Sequence, residues 1–496
     1  MRTTHDGDVR DLARGAGVNY LGFIARLGAR APFLLLAGRL YGASLFGAYT
    51  FGTAIVETAA GMAVFGMKRS LLKFMSEAAV RREPVHRSIA HGLALAMATA
   101  TVATIAVGAG AGWLSTTFGL PTAVDALLWL TPAIPMIVVS DVLLSAISFQ
   151  RKMGFEVWAR SIAEPVTLTV ATAVAYFAGA RDAGLMMAYV ASLAVAAGVS
   201  IVFFARMFPM GACVRESLRW AELRRMIRFN APTAGYEFLV SLADRADVLL
   251  VAYFSPAGVV GVYGMARQLA TVSRKIRHGF DRILPPVFSQ CIASGNFHRA
   301  ETHLRMVSRW ILSVQVLVVL GVSFYAADLL GLLGNQFASG SAILVLLLVA
   351  EAINSSLGVS ELPIIYLKPA LNVVLGLLMV FVILVIGVWL IGIMGPEGVA
   401  TALIVAYTLV NALRISVNRQ LFQITGVDRA LLKPVLAAAP AVGCLVVLRR
   451  LSVGLPTLGE VLALPLLITI YLGSLYLLGL EPSDHAQIRR MVRKFQ

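Results

Sequence analysis

Charged residues are scarce in this sequence. Asp, Glu, Lys and Arg make up only 14% of its 496 residues, whereas 58% are hydrophobic, and the mean hydropathy is +0.81. Soluble globular domains contain about 25% charged residues. The composition therefore predicts an all-α polytopic membrane protein. A membrane β-barrel is excluded because its strands would alternate in polarity, and the run from Leu371 to Ile393 is unbroken and apolar.

Residues that support catalysis or metal binding are also few. Cys213, Cys291 and Cys444 lack paired spacing and nearby histidines, so we expect neither a disulfide framework nor a zinc site. No phosphate-binding loop is present, which argues against direct ATP hydrolysis, and we expect no cofactor. The sequence also lacks a long outer loop in which an enzyme acting on lipid-linked sugars would place its acid, base or metal ligands. We therefore expect a transporter rather than an enzyme.

Long apolar runs recur through the chain at the length that a membrane-crossing helix needs, about 20 residues. They predict about fourteen transmembrane helices, at residues 17–40, 43–66, 88–112, 122–149, 157–179, 183–207, 231–254, 257–285, 306–333, 338–366, 370–392, 397–422, 433–450 and 457–479.

The net charge of +16 is distributed in alternate connecting segments. Lys and Arg concentrate after the second and sixth runs and in the C-terminal tail, whereas residues 112–123, 255–256 and 335–341 contain none. By the positive-inside rule the basic segments and both termini face the cytosol. The same distribution indicates contact with membrane lipids and argues against a nucleic-acid partner.

A short motif occurs twice in the chain. Ala43–Tyr49 and Ala257–Tyr263 both read A-x-x-x-G-x-Y and lie 214 residues apart, and residues 182–188 match residues 396–402 at the same offset. Two matches at one offset indicate an internal duplication, which in many transporters produces two bundles related by a pseudo-twofold axis. The duplication predicts the following organisation: a cytoplasmic segment (1–16), a six-helix N-lobe (17–207), a basic linker (208–230), a six-helix C-lobe (231–422), two additional helices (433–479) and a basic tail (480–496).

Several arginines lie inside the apolar runs, where ionisable residues are costly and usually mark function. In one interpretation they line a cationic cavity between the lobes and bind a phosphate or pyrophosphate, because guanidinium matches phosphate oxygens. In the other, Arg26 and Arg30 pair with Glu57, Asp244 or Asp247 and hold the lobes together. We favour the cavity, and its candidate substrate-binding residues are Arg26, Arg30, Arg245, Arg267 and Arg274.

Acidic residues inside the predicted helices have two interpretations as well. A desolvated carboxylate binds protons more tightly, so these residues are candidates for carrying a coupling ion. They are equally candidates for counter-ions to the arginines. The acids concerned are Glu57, Asp141, Asp244, Asp247 and Glu351, with Glu361 as a further candidate.

The segments Gly38–Tyr49 and Gly66–Phe74, separated by an apolar helix, resemble the opening of Wzx-type polysaccharide flippases. These belong to the multidrug/oligosaccharidyl-lipid/polysaccharide exporter superfamily. The resemblance implies two six-helix lobes with a cationic central cavity, in a bacterial inner membrane. It also implies translocation of an undecaprenyl-pyrophosphate-linked oligosaccharide to the periplasmic leaflet, for cell-surface polysaccharides such as lipopolysaccharide. A polysaccharide polymerase or chain-length protein would be a partner.

Three alternatives remain open. A lipid II flippase of peptidoglycan synthesis shares the fold and the cationic cavity that the resemblance implies. A cation-coupled multidrug exporter also shares the fold, but we would expect acids in its first helix, where this chain has arginines. A membrane glycosyltransferase or O-antigen polymerase would need the long outer loop that is missing.

Overall fold

The computed structural model describes residues 28–121, 123–150, 154–280, 284–451 and 456–479. All regular secondary structure in these residues is helical, as the apolar runs predict. The chain forms two compact units: the first contains the described residues up to Met265 together with Gly331–Phe337, and the second contains Ala266–Leu330 and the described residues from Ala338 onwards. The predicted terminal segments 1–16 and 480–496 lie outside the described residues.

The first unit is built on one helix that packs against several others. Helix α1 contacts α3, α4, α5 and α9 and is rich in Gly and Ala, which allow membrane helices to approach closely. Two π-helical segments, Ala37–Tyr41 and Val157–Ala163, precede α1 and α6. The helices are α1 (Gly42–Ala63), α2 (Met67–Val80), α3 (Val85–Thr117), α4 (Ala123–Leu130), α5 (Ala133–Ser148), α6 (Glu164–Phe177), α7 (Gly184–Met207), α8 (Met210–Arg215), α9 (Trp220–Ala243) and α10 (Ala246–Phe254).

The remaining helices belong mainly to the second unit, with α11 and α14 each contributing residues to both units. Helix α18 packs against α15 and α17, and α13 packs against α15 and α19. The helices are α11 (Ala257–His278), α12 (Leu284–Ala293), α13 (Phe297–Phe324), α14 (Ala326–Leu333), α15 (Ser341–Leu357), α16 (Glu361–Leu367), α17 (Pro369–Met394), α18 (Pro396–Phe422), α19 (Leu432–Leu451) and α20 (Pro456–Leu477). Short 3₁₀ segments lie at Asn335–Gly340, Gly358–Ser360 and Arg429–Leu431.

The two C-terminal helices form an apolar core with α13. Leu320 packs with Ala437 and Ala441 of α19 and with Leu467 and Tyr471 of α20. The Tyr471 hydroxyl donates a hydrogen bond of 3.0 Å to the Ser313 carbonyl, so its polar end is satisfied inside the apolar core.

Eight helical runs among the described residues are long and apolar enough to cross a membrane: Gly28–Val80, Val85–Thr117, Ala123–Ser148, Gly184–Met207, Phe297–Phe324, Asn335–Leu367, Pro369–Met394 and Pro396–Phe422. The protein is therefore a multipass membrane protein, as predicted. Two of the other predicted spans fall on α6, which has only 14 residues, and on α11, which carries several basic residues. The count of fourteen remains a prediction.

The region expected to join the lobes differs from the simplest sequence interpretation. Helix α9 begins at Trp220 and continues through Pro232, so the second part of the expected linker 208–230 is helical. The seventh span, predicted as one helix over 231–254, is broken between α9 and α10. Helices α9 and α10 both pack against α1 within the first unit. The assignment of the two lobes remains a prediction.

Candidate functional site

A carboxylate on α1 is held by side chains from two other parts of the first unit. Tyr189, on α7, donates a hydrogen bond of 2.5 Å to Glu57 Oε1. Arg245 forms a hydrogen-bonded ion pair with Glu57 Oε2. Each carboxylate oxygen therefore has its own partner, a neutral hydroxyl on one side and a guanidinium on the other.

The break between α9 and α10 places Arg245 in this cluster. Helix α9 ends at Ala243 and α10 begins at Ala246. Arg245 lies between them with φ −129° and ψ −1°, outside helical geometry. The adjacent Asp244 interacts electrostatically with Arg245. Two neighbouring charged residues thus occupy the break, where the chain is released from helical geometry.

A second arginine faces the same carboxylate. Arg30 precedes the π-helical segment Ala37–Tyr41 and interacts electrostatically with Glu57 and with the hydroxyl of Tyr49. Its Nε atom is buried and has no hydrogen-bond partner among the described residues. Arg26 lies outside the described residues. The described cluster therefore contains two arginines around Glu57, with Asp244 beside Arg245 as a further carboxylate, and part of the donor capacity of Arg30 is unused.

The Glu57 cluster retains access to its surroundings. The Glu57 side chain is 33% exposed and that of Arg245 is 25% exposed. An ion pair with this access can exchange one partner for another, because neither group has to remain in a dry interior when the pair separates.

The second unit contains a separate cluster of two arginines and one carboxylate. Arg274, on α11, directs its Nε to both oxygens of Glu351 at 3.1 and 3.0 Å, and its Nη2 lies 2.6 Å from Oε1. Arg267 lies one heptad earlier on α11, and its Nη1 is 3.7 Å from Glu351 Oε1. The Glu351 side chain is only 1% exposed. A charge buried to this extent is stable only when it is paired and hydrogen-bonded.

The other predicted acids have different partners. Asp141 accepts a hydrogen bond of 2.6 Å from Arg160 and also lies 3.8 Å from the Lys68 ammonium. Asp247 is fully buried and accepts a hydrogen bond of 2.9 Å from the Tyr263 hydroxyl. Neither contact brings these acids to the Glu57 or Glu351 carboxylates. The predicted site residues therefore separate into several groups.

The sequence interpretation missed several arginines inside the predicted spans, among them Arg414, which is buried, and Arg160, whose side chain is 17% exposed. Arg160 also pairs with Glu164, at 3.3 Å. Arg414, on α18, lies 3.7 Å from Glu361 and donates to Asn372 Oδ1 at 3.4 Å. Both arginines fall inside predicted apolar spans, so the signal that singled out Arg30 was present for them too. Because both are paired with acidic side chains, we interpret them as structural residues that join helices.

Within the described residues, no group of three or more His, Cys, Asp or Glu side chains is arranged to hold a metal ion. The Glu57 cluster offers electrostatic binding instead. Its arginines carry forked guanidinium donors, and its carboxylate can be exchanged for another anion. Such a group suits an oxyanion with several oxygens.

Sequence comparison identifies the family of this chain. Residues 12–292, more than half of the sequence, match the family model described as polysaccharide biosynthesis protein. The chain belongs to this family. No curated protein matches the sequence. The predicted family resemblance is confirmed by this match.

Solved structures show the same fold at low sequence identity. The lipid II flippase MurJ, in an inward closed conformation, superposes with a TM-score of 0.70 at 14% identity, over 92% of this chain and 100% of that chain. An inward-facing multidrug resistance MATE transporter of the MOP superfamily gives 0.62 at 14% identity, over 80% and 97%. The Vibrio cholerae MATE transporter VcmN gives 0.56 at 13% identity, over 84% and 98%. This family member thus has the fold of a MOP-superfamily membrane transporter.

Proposed function

We propose that the protein is a flippase for a polyprenyl-pyrophosphate-linked oligosaccharide. It carries this lipid from the cytoplasmic to the periplasmic leaflet of a bacterial inner membrane, for cell-surface polysaccharide biosynthesis. Membership in the polysaccharide biosynthesis family and a transporter fold support this function. Both termini face the cytosol, and the protein performs no chemical conversion of its substrate.

The arrangement of Arg30, Arg245 and Glu57 is the observation on which the proposal rests. A sugar pyrophosphate does not cross hydrocarbon unaided, because removing its charges from water costs many kcal/mol. Arg30 and Arg245 supply permanent charge and forked donors, and Glu57 occupies the site when substrate is absent. The pyrophosphate displaces Glu57 from Arg245, and Tyr189 retains the released carboxylate through its hydroxyl.

Movement of the head group then follows from alternating access. The arginines replace the water around the pyrophosphate, while the polyprenyl chain remains in the lipid. The duplicated halves rock between two states, so that the site opens first to the cytosol and then to the periplasm. When the pyrophosphate leaves, Glu57 returns to Arg245 and restores the empty site. Arg267 and Arg274 remain candidates for substrate contact, in addition to their contacts with Glu351.

A lipid II flippase is the second candidate, because the MurJ structure covers nearly the whole chain. Both substrates carry a polyprenyl pyrophosphate, so the arginines suit either. Multidrug export is the third candidate, since the MATE structures share the fold. The unused donor capacity of Arg30 favours an anionic substrate over the cations of many drug exporters.

The test is glycan analysis of a strain from which the gene is deleted. We expect lipid-linked oligosaccharide to accumulate on the cytosolic side and surface polysaccharide to disappear, while cell-wall synthesis continues. Arrested cell-wall synthesis would instead support lipid II transport and contradict the polysaccharide function. An unchanged glycan profile with increased drug sensitivity would overturn both flippase functions.

A further inference from the structure

A short segment from the second half of the chain packs onto the segment that precedes α1. Residues Gly331–Phe337 belong to the first unit and meet the π-helical segment Ala37–Tyr41 there. A Cβ atom added to Gly38 would overlap the carbonyl oxygen of Leu333. The side chain of Phe337 is fully buried. The glycine and the buried ring therefore fix the two segments against each other.

An open cleft of about 580 Å³ lies beside this contact. Sites for small ligands occupy about 300 to 1,000 Å³, so the cleft has the size of a ligand site. Among the described residues, neither a carboxylate nor a large apolar side chain lines it. The lining consists of Arg39, Gly331, Gly334, Asn335 and Gln336.

Arg39 is held in the cleft at one end of its guanidinium group. Its Nε donates a hydrogen bond of 2.8 Å to the carbonyl of Leu332. This is its only hydrogen bond within the described part of the chain, so both Nη groups remain available to a ligand. A donor that is already held in place loses less conformational freedom when a ligand binds.

The other two polar side chains of the cleft are amides. Asn335 and Gln336 begin a 3₁₀ segment and are exposed. The Nε2 atom of Gln336 lies 3.0 Å from the position of a Cβ on Gly42, so the absence of a side chain at Gly42 makes room for this amide. An amide group both donates and accepts hydrogen bonds. The cleft thus combines a cationic donor with two groups of dual character.

This combination suits the hydroxyl groups of a sugar. Each hydroxyl is both a donor and an acceptor, as each amide is. The guanidinium fork donates in parallel to two neighbouring oxygens, such as adjacent hydroxyls or the carboxylate of an acidic sugar. A phosphate offers only acceptor oxygens when it is fully ionised, and the amide oxygens would then have no donor to accept from. The amides therefore favour a sugar over a phosphate.

The position of Arg39 is an exception to the charge pattern of the chain. It lies at the end of the first predicted span, 17–40, which the proposed orientation places at the periplasmic side. Membrane proteins carry an excess of Lys and Arg on the cytoplasmic side. Contact with a ligand gives an arginine at the opposite side a role.

The cleft is separate from the Glu57 cluster. Arg39 precedes α1, whereas Glu57 lies about 22 Å along α1 from its first residue. One substrate can contact both places only if its head group is long. An oligosaccharide joined to a pyrophosphate is such a head group.

We propose that the cleft binds the sugar chain of the oligosaccharide at the periplasmic face. The inference rests on the proposed function, which supplies the substrate and the side of the membrane. Arg30 and Arg245 contact the pyrophosphate, and Arg39, Asn335 and Gln336 contact sugars. The cleft gives the protein a contact with the part of the substrate that differs between polysaccharides.

Saturation-transfer NMR on the full chain in nanodiscs tests the cleft. The probes are oligosaccharides released by mild acid from the surface polysaccharide of the source strain. We expect them to bind the wild type, and to bind Arg39→Gln at least about tenfold more weakly because charged hydrogen bonds are lost. The matched control is Arg181→Gln, which removes an exposed arginine between α6 and α7 and should bind normally. Equal binding by the wild type and Arg39→Gln would overturn the sugar site.

A second variant fills the cleft and keeps every polar group. A Cβ added to Gly331, on α14, meets no atom within 4 Å, so we expect Gly331→Leu to fold and to occupy part of the cleft. Its sugar binding should be weakened. Gly112→Leu adds the same side chain at another open helical position, on α3, and should bind normally. Unchanged binding by Gly331→Leu, or equal losses in the two variants, would overturn the site.

Two further probes separate the site from the proposed function. If the disaccharide of N-acetylglucosamine and N-acetylmuramic acid binds through Arg39 and the polysaccharide fragments do not, the sugar site stands and the polysaccharide function fails. If neither sugar binds, but deletion of the gene abolishes surface polysaccharide, the function stands and the site fails. Inorganic phosphate is the last probe. If phosphate binds in place of the sugar, the cleft is an anion site and the sugar assignment is overturned.

Discussion

Two clusters of this molecule have the same composition and differ in access. Each consists of two arginines and one glutamate: Arg30 and Arg245 around Glu57, and Arg267 and Arg274 around Glu351. Glu57 is 33% exposed and shares its oxygens between Arg245 and a tyrosine, whereas Glu351 is 1% exposed and receives a forked contact from Arg274.

The difference shows why an intramembrane arginine is not by itself a substrate contact. A buried carboxylate with a forked partner cannot lose that partner without leaving an uncompensated charge, so we expect removal of Glu351 to destabilise the contact between α11 and α15. The Glu57 cluster can exchange its anion because its members remain accessible. We therefore expect the Glu351 cluster to affect stability and the Glu57 cluster to affect transport.

The largest expected effect is on stability, at Glu351. Glu351→Gln leaves the arginine charges without their buried anion, and we expect a loss of about 3 to 5 kcal/mol of unfolding free energy. Thermal unfolding in detergent measures the change. The exposed acid Glu83 provides the control, since Glu83→Gln removes the same charge from the surface. If Glu351→Gln unfolded at the same temperature as the wild type, the Glu351 cluster would not contribute to stability, and the two clusters would not differ in the way we expect.

The next effect is on transport, at Arg30 and Arg245. Each guanidinium contributes charged hydrogen bonds of about 1.5 to 3 kcal/mol, so Arg30→Gln or Arg245→Gln is expected to slow transport roughly 10- to 100-fold. Surface polysaccharide in a complemented deletion strain, at matched protein level, reports the change. Arg224→Gln, at an exposed position on α9, should transport normally. Full surface polysaccharide in both cluster variants would mean that these arginines do not contact the substrate.

A smaller effect of opposite sign is expected at Glu57. Glu57→Gln removes the anion that competes with pyrophosphate for Arg245, so affinity for a soluble pyrophosphate sugar should rise about tenfold, equivalent to about 1.4 kcal/mol. Calorimetric titration of the purified protein measures it. The two glutamates thus differ in what their loss changes. Glu57→Gln is expected to strengthen binding, whereas Glu351→Gln is expected to destabilise the protein. Weaker binding by Glu57→Gln would show that Glu57 supports the site rather than competing in it.

The smallest effect is expected at Tyr189. Tyr189→Phe removes one hydrogen bond to a partly exposed carboxylate, and we expect a loss of about 1 kcal/mol in stability, with transport slowed less than in the arginine variants. Thermal unfolding and the transport rate are measured on the same preparation. Tyr49→Phe is the comparison, because the Tyr49 ring meets that of Tyr189 edge to face, with 5.8 Å between ring centroids, but no direct hydrogen bond joins Tyr49 to Glu57. If both substitutions had equal effects, the effect of Tyr189→Phe would come from changed packing and not from the lost hydrogen bond to Glu57.

The sequence alone predicted the features that depend on local pattern. Apolar runs predicted a multipass helical protein, and the repeated A-x-x-x-G-x-Y motif predicted an internal duplication. Charges inside apolar runs marked Arg30, Glu57 and Arg245 as unusual, because a charge in a membrane-crossing segment is costly and usually has a partner or faces a water-filled cavity.

The partners of these charged residues could not be predicted from the sequence, because they are brought together only by the fold. Glu57 and Arg245 lie 188 positions apart, and no periodicity connects them. Arg245 reaches Glu57 only because the chain breaks between α9 and α10, where the apolar pattern predicts a continuous helix. The pairing of Arg160 with Asp141 and of Arg414 with Glu361 is of the same kind, because these acids lie on other helices.

The most direct test of the central claim is movement of a fluorescent polyprenyl-pyrophosphate oligosaccharide in proteoliposomes, comparing the wild-type protein with the double variant Arg30→Gln/Arg245→Gln. If these arginines carry the pyrophosphate, the wild type moves the lipid between leaflets and the correctly folded double variant does not. Equal movement by the two proteins would contradict the claim, and the substrate contacts would then have to lie elsewhere in the chain.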